Sequence, residues 1–253
     1  DAREKKWRVK LGHEARPEVV ASRFLWAVGY FANDDYVLPQ ADVSGLKMHR
    51  GKKYVRGEHV EDVRFARKPG GQKKIATWEW KHNAFTGTRE LNGLRVMMAL
   101  LNSWDLKDEN NAVYSDEKSG RQIFLVSDIG TSFGTSGLHF TNAPSKDNSR
   151  NYAKSKFITK TTQTTVSFAT PGRANSLELE TLGAATKQWI RRQHMLWIGR
   201  DIPRQDARWI GSLLAQLSHQ QLVDAFRAGN YPQEDIDRFV PEVEKRIAAL
   251  NKL

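Results

Sequence analysis

The sequence predicts an α+β protein, with strands concentrated toward its N-terminus and helices toward its C-terminus. Short runs that alternate between apolar and polar residues, a pattern typical of strands, occur at Lys6–Leu11 and Val60–Phe65. Apolar residues then recur at helical spacing from Thr88 to Ser103, and the same spacing returns from Leu177 onward. With 253 residues, of which 39% are hydrophobic, the chain is long enough to build a substantial core.

Composition excludes several classes of protein and of site. The chain has no cysteine, which excludes disulfides, thiolate metal sites and a cysteine nucleophile. The longest apolar runs, such as Val96–Leu101, are far shorter than the ~20 residues that a membrane-spanning helix needs. We therefore expect no transmembrane segment. Because the first residues are charged, we also expect no signal peptide.

The strong positive charge has two explanations. The net charge is +11 and the pI is about 9.8, but the positive residues are scattered and match no nucleic-acid-binding motif. A solvated basic surface explains the charge without a function. The functional alternative is an anionic partner, such as a nucleotide, a phospholipid headgroup, an acidic peptide or another polyanion, and the sequence does not favour a nucleic acid. The local concentrations are at Arg3–Lys10, Lys47–Arg56, Arg64–Lys74, Arg150–Lys160 and Lys187–Arg192.

The N-terminal part predicts a strand followed by a helix. After the Lys6–Leu11 strand, Pro17 suits the first helical position and Glu18 suits an acidic first turn. An apolar stripe at helical spacing follows, formed by Val20, Phe24, Ala27 and Val28. Two more strands are predicted at Tyr36–Pro39 and Val60–Phe65, separated by a basic hairpin or insertion at Lys47–Gly57.

The central part predicts one helix and one hairpin. Thr88 suits the N-cap of the helix, whose apolar face contains Leu91, Leu94, Met97, Met98 and Leu101. Beyond the loop that follows, residues 111–114 and 123–126 read as two strands around a polar turn. Such a hairpin would bring Asn110, before its first strand, and Asp128, after its second, to the same edge. Two oxygen ligands could then share Mg²⁺ or Mn²⁺. The alternative is that both residues belong to ordinary polar loops.

The C-terminal part predicts a bundle of helices. They are expected at Leu177–Ile198, Asp201–Leu217, Ser218–Ala228 and Glu234–Leu250. Ser218 and Gln221 have the spacing of a capping box, and Gly229 suits a helix end. A lone histidine on a partly apolar helix is usually structural, so we assign no catalytic role to His194.

Two motifs in the central part resemble those of the kinase-like superfamily. Asp105 and Asn110 stand five residues apart, as in a kinase catalytic loop, and Asp128-Ile129-Gly130 takes the place of its Asp-Phe-Gly motif. With Asn102 before it, the loop resembles the atypical branch of this superfamily, which includes phosphatidylinositol kinases, HipA-type toxin kinases, spore-coat CotH kinases and secretory-pathway kinases. Within that branch, the chain resembles an uncharacterised bacterial group. The resemblance implies a two-lobed fold with a small β-rich N-lobe at 1–70, whose completeness is open, and a helical C-lobe at 71–253.

The resemblance also implies roles for individual residues. Asp105 would deprotonate the acceptor hydroxyl and Lys107 would neutralise the transferring phosphoryl group, while Asn110 and Asp128 would hold Mg²⁺ or Mn²⁺. Lys10, near the end of the first strand, resembles the lysine that binds the α- and β-phosphates of ATP. Glu18 would pair with Lys10, with Glu14 as the alternative, and backbone groups near Phe65–Arg67 would bind the base. Gly130–Gly137 resembles an activation segment.

The chain also departs from the family pattern. Ser103-Trp104 stands where protein kinases have His-Arg, and nine residues before Lys10 leave no room for a glycine-rich phosphate loop, so we expect sequence upstream. The expected function is ATP-dependent phosphoryl transfer to a hydroxyl group of a protein, lipid headgroup, sugar or small metabolite. The alternatives are a pseudokinase and a protein that binds nucleotide or polyanion without turnover. The resemblance favours an extracytoplasmic location and leaves the cytoplasm open.

Overall fold

The protein combines three β-sheets with six α-helices in the part of the chain that the structure describes, which confirms the α+β class. The structure is a computed structural model, and it describes residues 7–12, 14–43, 54–67, 71–134, 146–169 and 195–253. Within these ranges no helix is both long enough and apolar enough to cross a bilayer. The predictions for His194, for residues 135–137 and for most of the helix at 177–198 and the insertion at 47–57 fall outside them.

The first sheet is antiparallel and carries the first helix on one face. Its elements are β1 (Trp7–Leu11), α1 (Ala15–Ala27), β3 (Asp35–Asp42), β4 (Val55–Arg56) and β5 (His59–Arg67). β5 lies between β1 and β3 and also pairs with β4, so the strands predicted at Tyr36–Pro39 and Val60–Phe65 are confirmed and extend further. The helix packs against β3 and β5 and begins two residues before Pro17.

The second sheet contains the predicted hairpin. β7 (Ala112–Asp116) and β8 (Gln122–Val126) pair antiparallel, with Ala112 opposite Leu125, which confirms the hairpin. β6 (Gln72–Ala76) extends the sheet beside β7. On the other side, the two-residue strand β2 (Phe31–Ala32) pairs parallel with β8. Because β2 follows α1 in the chain, this pairing connects the end of α1 directly to the strand that leads to Asp128.

The central helix, α2 (Arg89–Leu101), lies in the middle of the core. Thr88 accepts a hydrogen bond from the Leu91 amide at 3.2 Å, so the predicted N-cap is confirmed. The helix ends two residues before the predicted Ser103. The reason is Asn102, whose φ of 56° is left-handed and allows its own amide and that of Ser103 to bond back to the last turn.

The C-terminal part is helical, with a small sheet that the sequence did not predict. The Ser218–Gln221 capping box and the Gly229 helix end are confirmed. The helix expected from Asp201 begins instead at Arg204 and ends at Leu214, since Ile202–Pro203 forms a strand. The bounds are α3 (Ser149–Lys154), β9 (Ile158–Thr161), β10 (Thr165–Phe168), β11 (Ile202–Pro203), α4 (Arg204–Leu214), α5 (His219–Ala228) and α6 (Gln233–Asn251).

Aromatic residues join these helices to the segment after Asp128. Phe133 is fully buried and lies edge to face with Tyr152, Phe226 and Phe239, at centroid distances of 5.6, 5.1 and 5.6 Å. Phe24 of α1 packs against the same ring at 6.2 Å. The core therefore fixes the chain a few residues beyond Asp128.

Candidate active site

The loop between α2 and β7 presents a paired carboxylate and ammonium. Lys107 Nζ lies 2.9 Å from Asp105 Oδ1 and 3.0 Å from Oδ2, so it bridges both carboxylate oxygens. Both side chains are about one third exposed, at 33% for Asp105 and 32% for Lys107. Asn110 closes the loop, because its side-chain nitrogen donates to the Asp105 carbonyl at 3.3 Å. Asp105 and Lys107 can thus both be reached by a molecule from solvent.

Asn102 fixes the base of this loop. Its Nδ2 donates to the Gly134 carbonyl at 2.8 Å, and its Oδ1 accepts from Trp104 Nε1 at 3.2 Å. The Phe133 amide donates to the Leu101 carbonyl at 2.7 Å, and this bond joins the same two segments. The loop that carries Asp105 is therefore attached to the segment that follows Asp128.

The hairpin brings Asn110 and the residue next to Asp128 together. Leu125 lies opposite Ala112 in the register of the hairpin. Two residues further, Ser127 Oγ donates a hydrogen bond to the Asn110 carbonyl. Asp128 follows with a left-handed φ of 56°. Antiparallel pairing thus brings two residues 18 positions apart to the same edge, as the sequence predicted.

Lys10 connects this edge to the first sheet and to α1. Its Nζ lies 2.7 Å from Asp128 Oδ1, 3.3 Å from Glu18 Oε2 and 2.7 Å from Glu14 Oε2. Both carboxylates that the sequence offered as partners, Glu18 and Glu14, are in contact. Glu14 also pairs with Lys146, a contact that the sequence analysis did not anticipate.

Close packing at Gly130 holds α1 against the Asp128 segment. A Cβ atom at this position would lie 2.7 Å from the Glu14 carbonyl oxygen, which belongs to the backbone and cannot move aside. Only glycine fits without displacing the chain around Glu14. Gly130, two residues after Asp128, therefore permits the close approach of the start of α1, which carries Glu14 and Glu18.

The pKa values of Lys10, Glu14 and Glu18 are shifted in different ways. Burial alone would lower the pKa of the Lys10 ammonium, but Glu18, Asp128 and Glu14 outweigh it and raise that pKa above its ordinary value. For Glu14, hydrogen bonds from Lys10 and Lys146 overcome the effect of burial and lower the pKa to about 2. For Glu18, burial outweighs the attraction of Arg64 and Lys10 and raises the pKa to about 7.

Arg64 is a residue of the candidate site that the sequence analysis missed. Its guanidinium is buried and lies 2.7 Å from Glu18 Oε1 and 3.0 Å from Asp35 Oδ1. Ser22 donates to the other oxygen of Asp35 at 3.1 Å. Arg64 stands directly opposite Lys10 in the sheet, so both cations lie on the face that α1 covers. Alternation gave no clear signal for its burial, because Arg64 shares one face of β5 with the buried Ala66 but also with Asp62, whose side chain is 30% exposed.

The donor atoms at the hairpin edge suit a hard divalent cation shared with phosphate. Asn110 uses its side-chain nitrogen within the loop, so its amide oxygen is the atom that could bind a metal. Asp128 is 42% exposed and contributes a carboxylate. Mg²⁺ typically takes one or two such protein ligands and completes its shell with water and substrate phosphate. In the described part of the chain no group of three or more histidine, aspartate or glutamate side chains is arranged to hold a metal.

A cleft of about 360 Å³ lies between the first sheet and the second. Arg8 and Ala66 line it from the first sheet, and they face each other in the register of β1 and β5. Tyr114, Ile123 and Leu125 line it from the hairpin, on the side away from the helical core. Arg8 shares its strand face with Lys10, and Leu125 precedes Asp128 by three residues, but neither Lys10 nor Asp128 lines the cleft.

Comparisons with known proteins identify no family. No protein-family model matches the sequence, and no curated protein matches it. The chain is similar to a solved structure, the crystal structure of a Helicobacter pylori proinflammatory kinase, CtkA, with 9% sequence identity and a TM-score of 0.48. The similarity covers 98% of this chain and 90% of that one. A likeness of this degree establishes neither the fold family nor the activity of this chain.

Proposed function

We propose that this protein is an ATP-dependent phosphotransferase with a two-lobed, kinase-like fold, which moves the γ-phosphoryl group of ATP to a hydroxyl acceptor. The observation that carries the proposal is the contact of Lys10 with both Glu18 and Asp128, at 3.3 and 2.7 Å. The three residues come from β1, from the first turn of α1 and from the end of β8. Structural ion pairs are common, but this one joins the side chains expected to bind phosphate and metal.

The cleft between the sheets supports a site for the nucleotide. Its volume is about 360 Å³, and two of its lining residues, Arg8 and Leu125, stand two residues before Lys10 and three residues before Asp128 in their strands. The Arg67 amide already donates to the Asp34 carbonyl at 2.9 Å and is not free to bind the base. We therefore propose that the base packs between two walls of the cleft, Ala66 on the first sheet and Leu125 on the hairpin, and is not held by a hydrogen bond at Arg67.

The transfer step uses the groups of the loop. Asp105 takes the proton of the acceptor hydroxyl, the oxygen bonds to the γ-phosphorus, and the bond to the bridging β–γ oxygen breaks so that ADP leaves with that electron pair. Lys107, fixed on Asp105 by its ion pair, offsets the charge of the phosphoryl group. Asn110 and Asp128 would hold a divalent metal, which when bound neutralises charge on the β- and γ-phosphates.

A transfer assay with γ-labelled ATP, Mg²⁺ or Mn²⁺ and pooled acceptors tests the proposal. We expect label transfer by the full chain, loss of transfer in Asp105→Asn with ATP binding retained, and loss of ATP binding in Lys10→Met. Lys118→Met, at the exposed turn of the hairpin, is the matched control and should behave as the wild type.

Two outcomes would replace the proposal. A metal-dependent thermal shift with ATP and no loss of the γ-phosphate would identify a nucleotide-binding protein without turnover. Salt-sensitive binding of polyanions with no response to ATP would identify a basic scaffold. Normal transfer by Asp105→Asn would show that Asp105 is not the base.

A further inference from the structure

Two lysines from distant parts of the chain bind the same carboxylate. Lys10 Nζ lies 2.7 Å from Glu14 Oε2, and Lys146 Nζ pairs with the other oxygen, Oε1. Although burial raises the pKa of Glu14, hydrogen bonds from both lysines lower it to about 2, so the carboxylate is ionised at neutral pH. All three side chains are between one quarter and one third exposed, so an anion from solvent can reach them.

The backbone beside Lys146 is fixed. The Asp147 amide, next in the chain, donates to the Ser132 carbonyl at 2.9 Å. The Asn148 amide donates to the Phe133 carbonyl at 2.8 Å, and the Phe133 ring is fully buried in the aromatic core. Lys146 therefore extends toward α1 from a rigid base.

Of the three carboxylates around Lys10, Glu14 is the one that can leave. Glu18 is 1% exposed, and Arg64 holds its other oxygen at 2.7 Å. Asp128 has a separate role in the proposed metal site. Glu14 stands at the N-cap of α1, but its side chain caps no amide of the helix. A rotation of this side chain toward solvent would break its ion pairs with the two lysines and leave the helix end intact.

A phosphate group can make the same contacts as the Glu14 carboxylate. Both anions present two oxygen atoms side by side, and both form strong charge-assisted hydrogen bonds with ammonium groups. With Glu14 turned away, Lys10 and Lys146 would both face the position that the carboxylate takes in this structure. Two neighbouring ammoniums at one position attract an anion. A phosphate that arrives there competes with Glu14 for both lysines.

We propose that Lys10 and Lys146 form one phosphate-binding site, in which Lys146 is a second cation for the phosphate chain and Glu14 is the group that the chain displaces. The inference rests on the proposed phosphotransferase function, because that function supplies ATP as the anion that reaches Lys10. Glu14 then weakens nucleotide binding by competition, whereas Glu18 supports Lys10. A competitor and a support predict opposite effects when the charge of Glu14 is removed.

Calorimetric titration with tripolyphosphate or ATP, each with Mg²⁺, measures this competition. Exposed ion pairs are worth about two- to fivefold each, so Glu14→Gln should bind both probes about three- to tenfold more tightly than the wild type. Adding Lys146→Met to Glu14→Gln should then weaken binding about tenfold, because a charge-assisted hydrogen bond to phosphate is lost. Adding Lys146→Arg instead should keep the tighter binding. Adenosine, which has no phosphate, should bind equally to every variant and so report that each is folded.

Glu117→Gln/Lys118→Met is the matched control, because it removes one charge of each sign from exposed neighbours in the hairpin turn. It should bind the probes as the wild type does. Weaker or unchanged binding in Glu14→Gln would overturn the inference. Unchanged binding when Lys146→Met is added to Glu14→Gln would also overturn it, because Lys146 would then serve only to neutralise Glu14.

The label-transfer assay separates these results from the proposed function. Either contrary result beside normal label transfer would overturn the inference and leave the phosphotransferase standing. The expected responses to tripolyphosphate without any label transfer would sustain the phosphate site and refute the phosphotransferase. Failure of both phosphate probes to bind the wild type would overturn the two together.

Discussion

Lys10 Nζ lies 2.7 Å from Asp128 Oδ1, although 118 residues separate the two in the chain. The contact depends on three other features: the first turn of α1, the glycine at position 130 and the hairpin that ends at Val126. Each of these features is local, but their meeting point is not. A single ammonium thereby holds together the first sheet, the first helix and the edge of the second sheet.

Replacing Lys10 with methionine should destabilise the protein in a pH-dependent way. Without the ammonium, Glu14, Glu18 and Asp128 face one another, which we expect to cost about 1–3 kcal/mol at pH 7.5 after allowing for the partial exposure of Asp128. Without the attraction of Lys10, the pKa of Glu18 rises further above its ordinary value, so the folded variant takes up a proton more readily than the folded wild type. The deficit should shrink as the pH falls to 5.

Urea denaturation at both pH values measures this deficit. Lys118→Met provides the control, because it removes the same charge from a side chain that is exposed at the hairpin turn. A deficit of equal size at pH 7.5 and pH 5 would mean that the three carboxylates do not interact through Lys10.

Replacing Arg64 with methionine should cost more than replacing any exposed arginine of the same strand. Glu18 and Asp35 would remain buried without their shared cation, and an uncompensated buried charge costs about 3–5 kcal/mol. Arg67→Met is the control, since Arg67 is 45% exposed and lies 3.8 Å from Asp34. It should change the free energy of unfolding by about 0.5 kcal/mol or less.

Chemical denaturation of the two variants gives the comparison. If Arg64→Met cost no more than Arg67→Met, the buried carboxylates would have to be neutral in the folded protein. Adding Glu18→Gln and Asp35→Asn to Arg64→Met should recover part of the lost free energy, because the charges left unpaired are then removed.

Glu18 should make stability fall as the pH rises from acid to neutral. Burial raises its pKa from the ordinary 4.5 to about 7, so between these values the folded state holds a proton that the unfolded state has lost. Its contribution is complete below pH 4.5 and is lost as the pH rises through 7, with a maximum of roughly 3 kcal/mol.

The difference between the wild type and Glu18→Gln isolates this contribution, because Gln does not titrate. The pKa of Glu14, lowered to about 2, acts in the opposite direction and below pH 4.5, and it is common to both proteins. Denaturation midpoints measured from pH 4.5 to pH 8 should therefore decline more steeply for the wild type. Parallel curves would show that Glu18 is ionised throughout this range.

Much of the fold could be predicted because its signals are local. The period of the apolar residues and the cap at Thr88 define α2, and a polar turn between two apolar runs defines the β7–β8 hairpin. The same local signals put Glu18 in the first turn of α1 and Asp128 after a strand. These signals were enough to predict the pairing of Lys10 with Glu18, or with Glu14 as the alternative, but the contact of Lys10 with Asp128 was not predicted.

The remainder depends on pairings between distant segments. Arg64 stands among charged residues and looks like a surface cation, and it is buried only because Glu18 and Asp35 reach it from two other elements. The two-residue strand β2 has no pattern of its own and is defined by its pairing with β8. The contact of Lys146 with Glu14 likewise spans 132 residues. Local periodicity carries no information about such contacts.

Replacing Asn102 should destabilise the fold and should also displace Asp105. It is 2% exposed, and its amide bonds to Gly134, Ser155 and Trp104 at 2.8, 3.0 and 3.2 Å. Asn102→Gly retains the left-handed backbone but loses these bonds, at a cost of about 2–4 kcal/mol. Asn102→Ala loses them too and adds about 1 kcal/mol, because alanine tolerates a φ of 56° poorly.

Catalysis should respond more strongly than nucleotide binding to the loss of Asn102. In the proposed reaction, release of the loop from Gly134 displaces Asp105 from the edge that carries Asp128, and a shift of about 1 Å can cost 100-fold in rate. Lys10 and the cleft do not depend on the bonds of Asn102. We therefore expect kcat to fall ten- to 100-fold in Asn102→Gly, with the KM for ATP nearly unchanged.

Asn251→Ala is the control. It removes a side-chain amide that donates to the Gly211 carbonyl, far from Asn102 in the chain, and it should leave kcat unchanged. A normal kcat in Asn102→Gly would mean that the loop keeps its geometry without this residue.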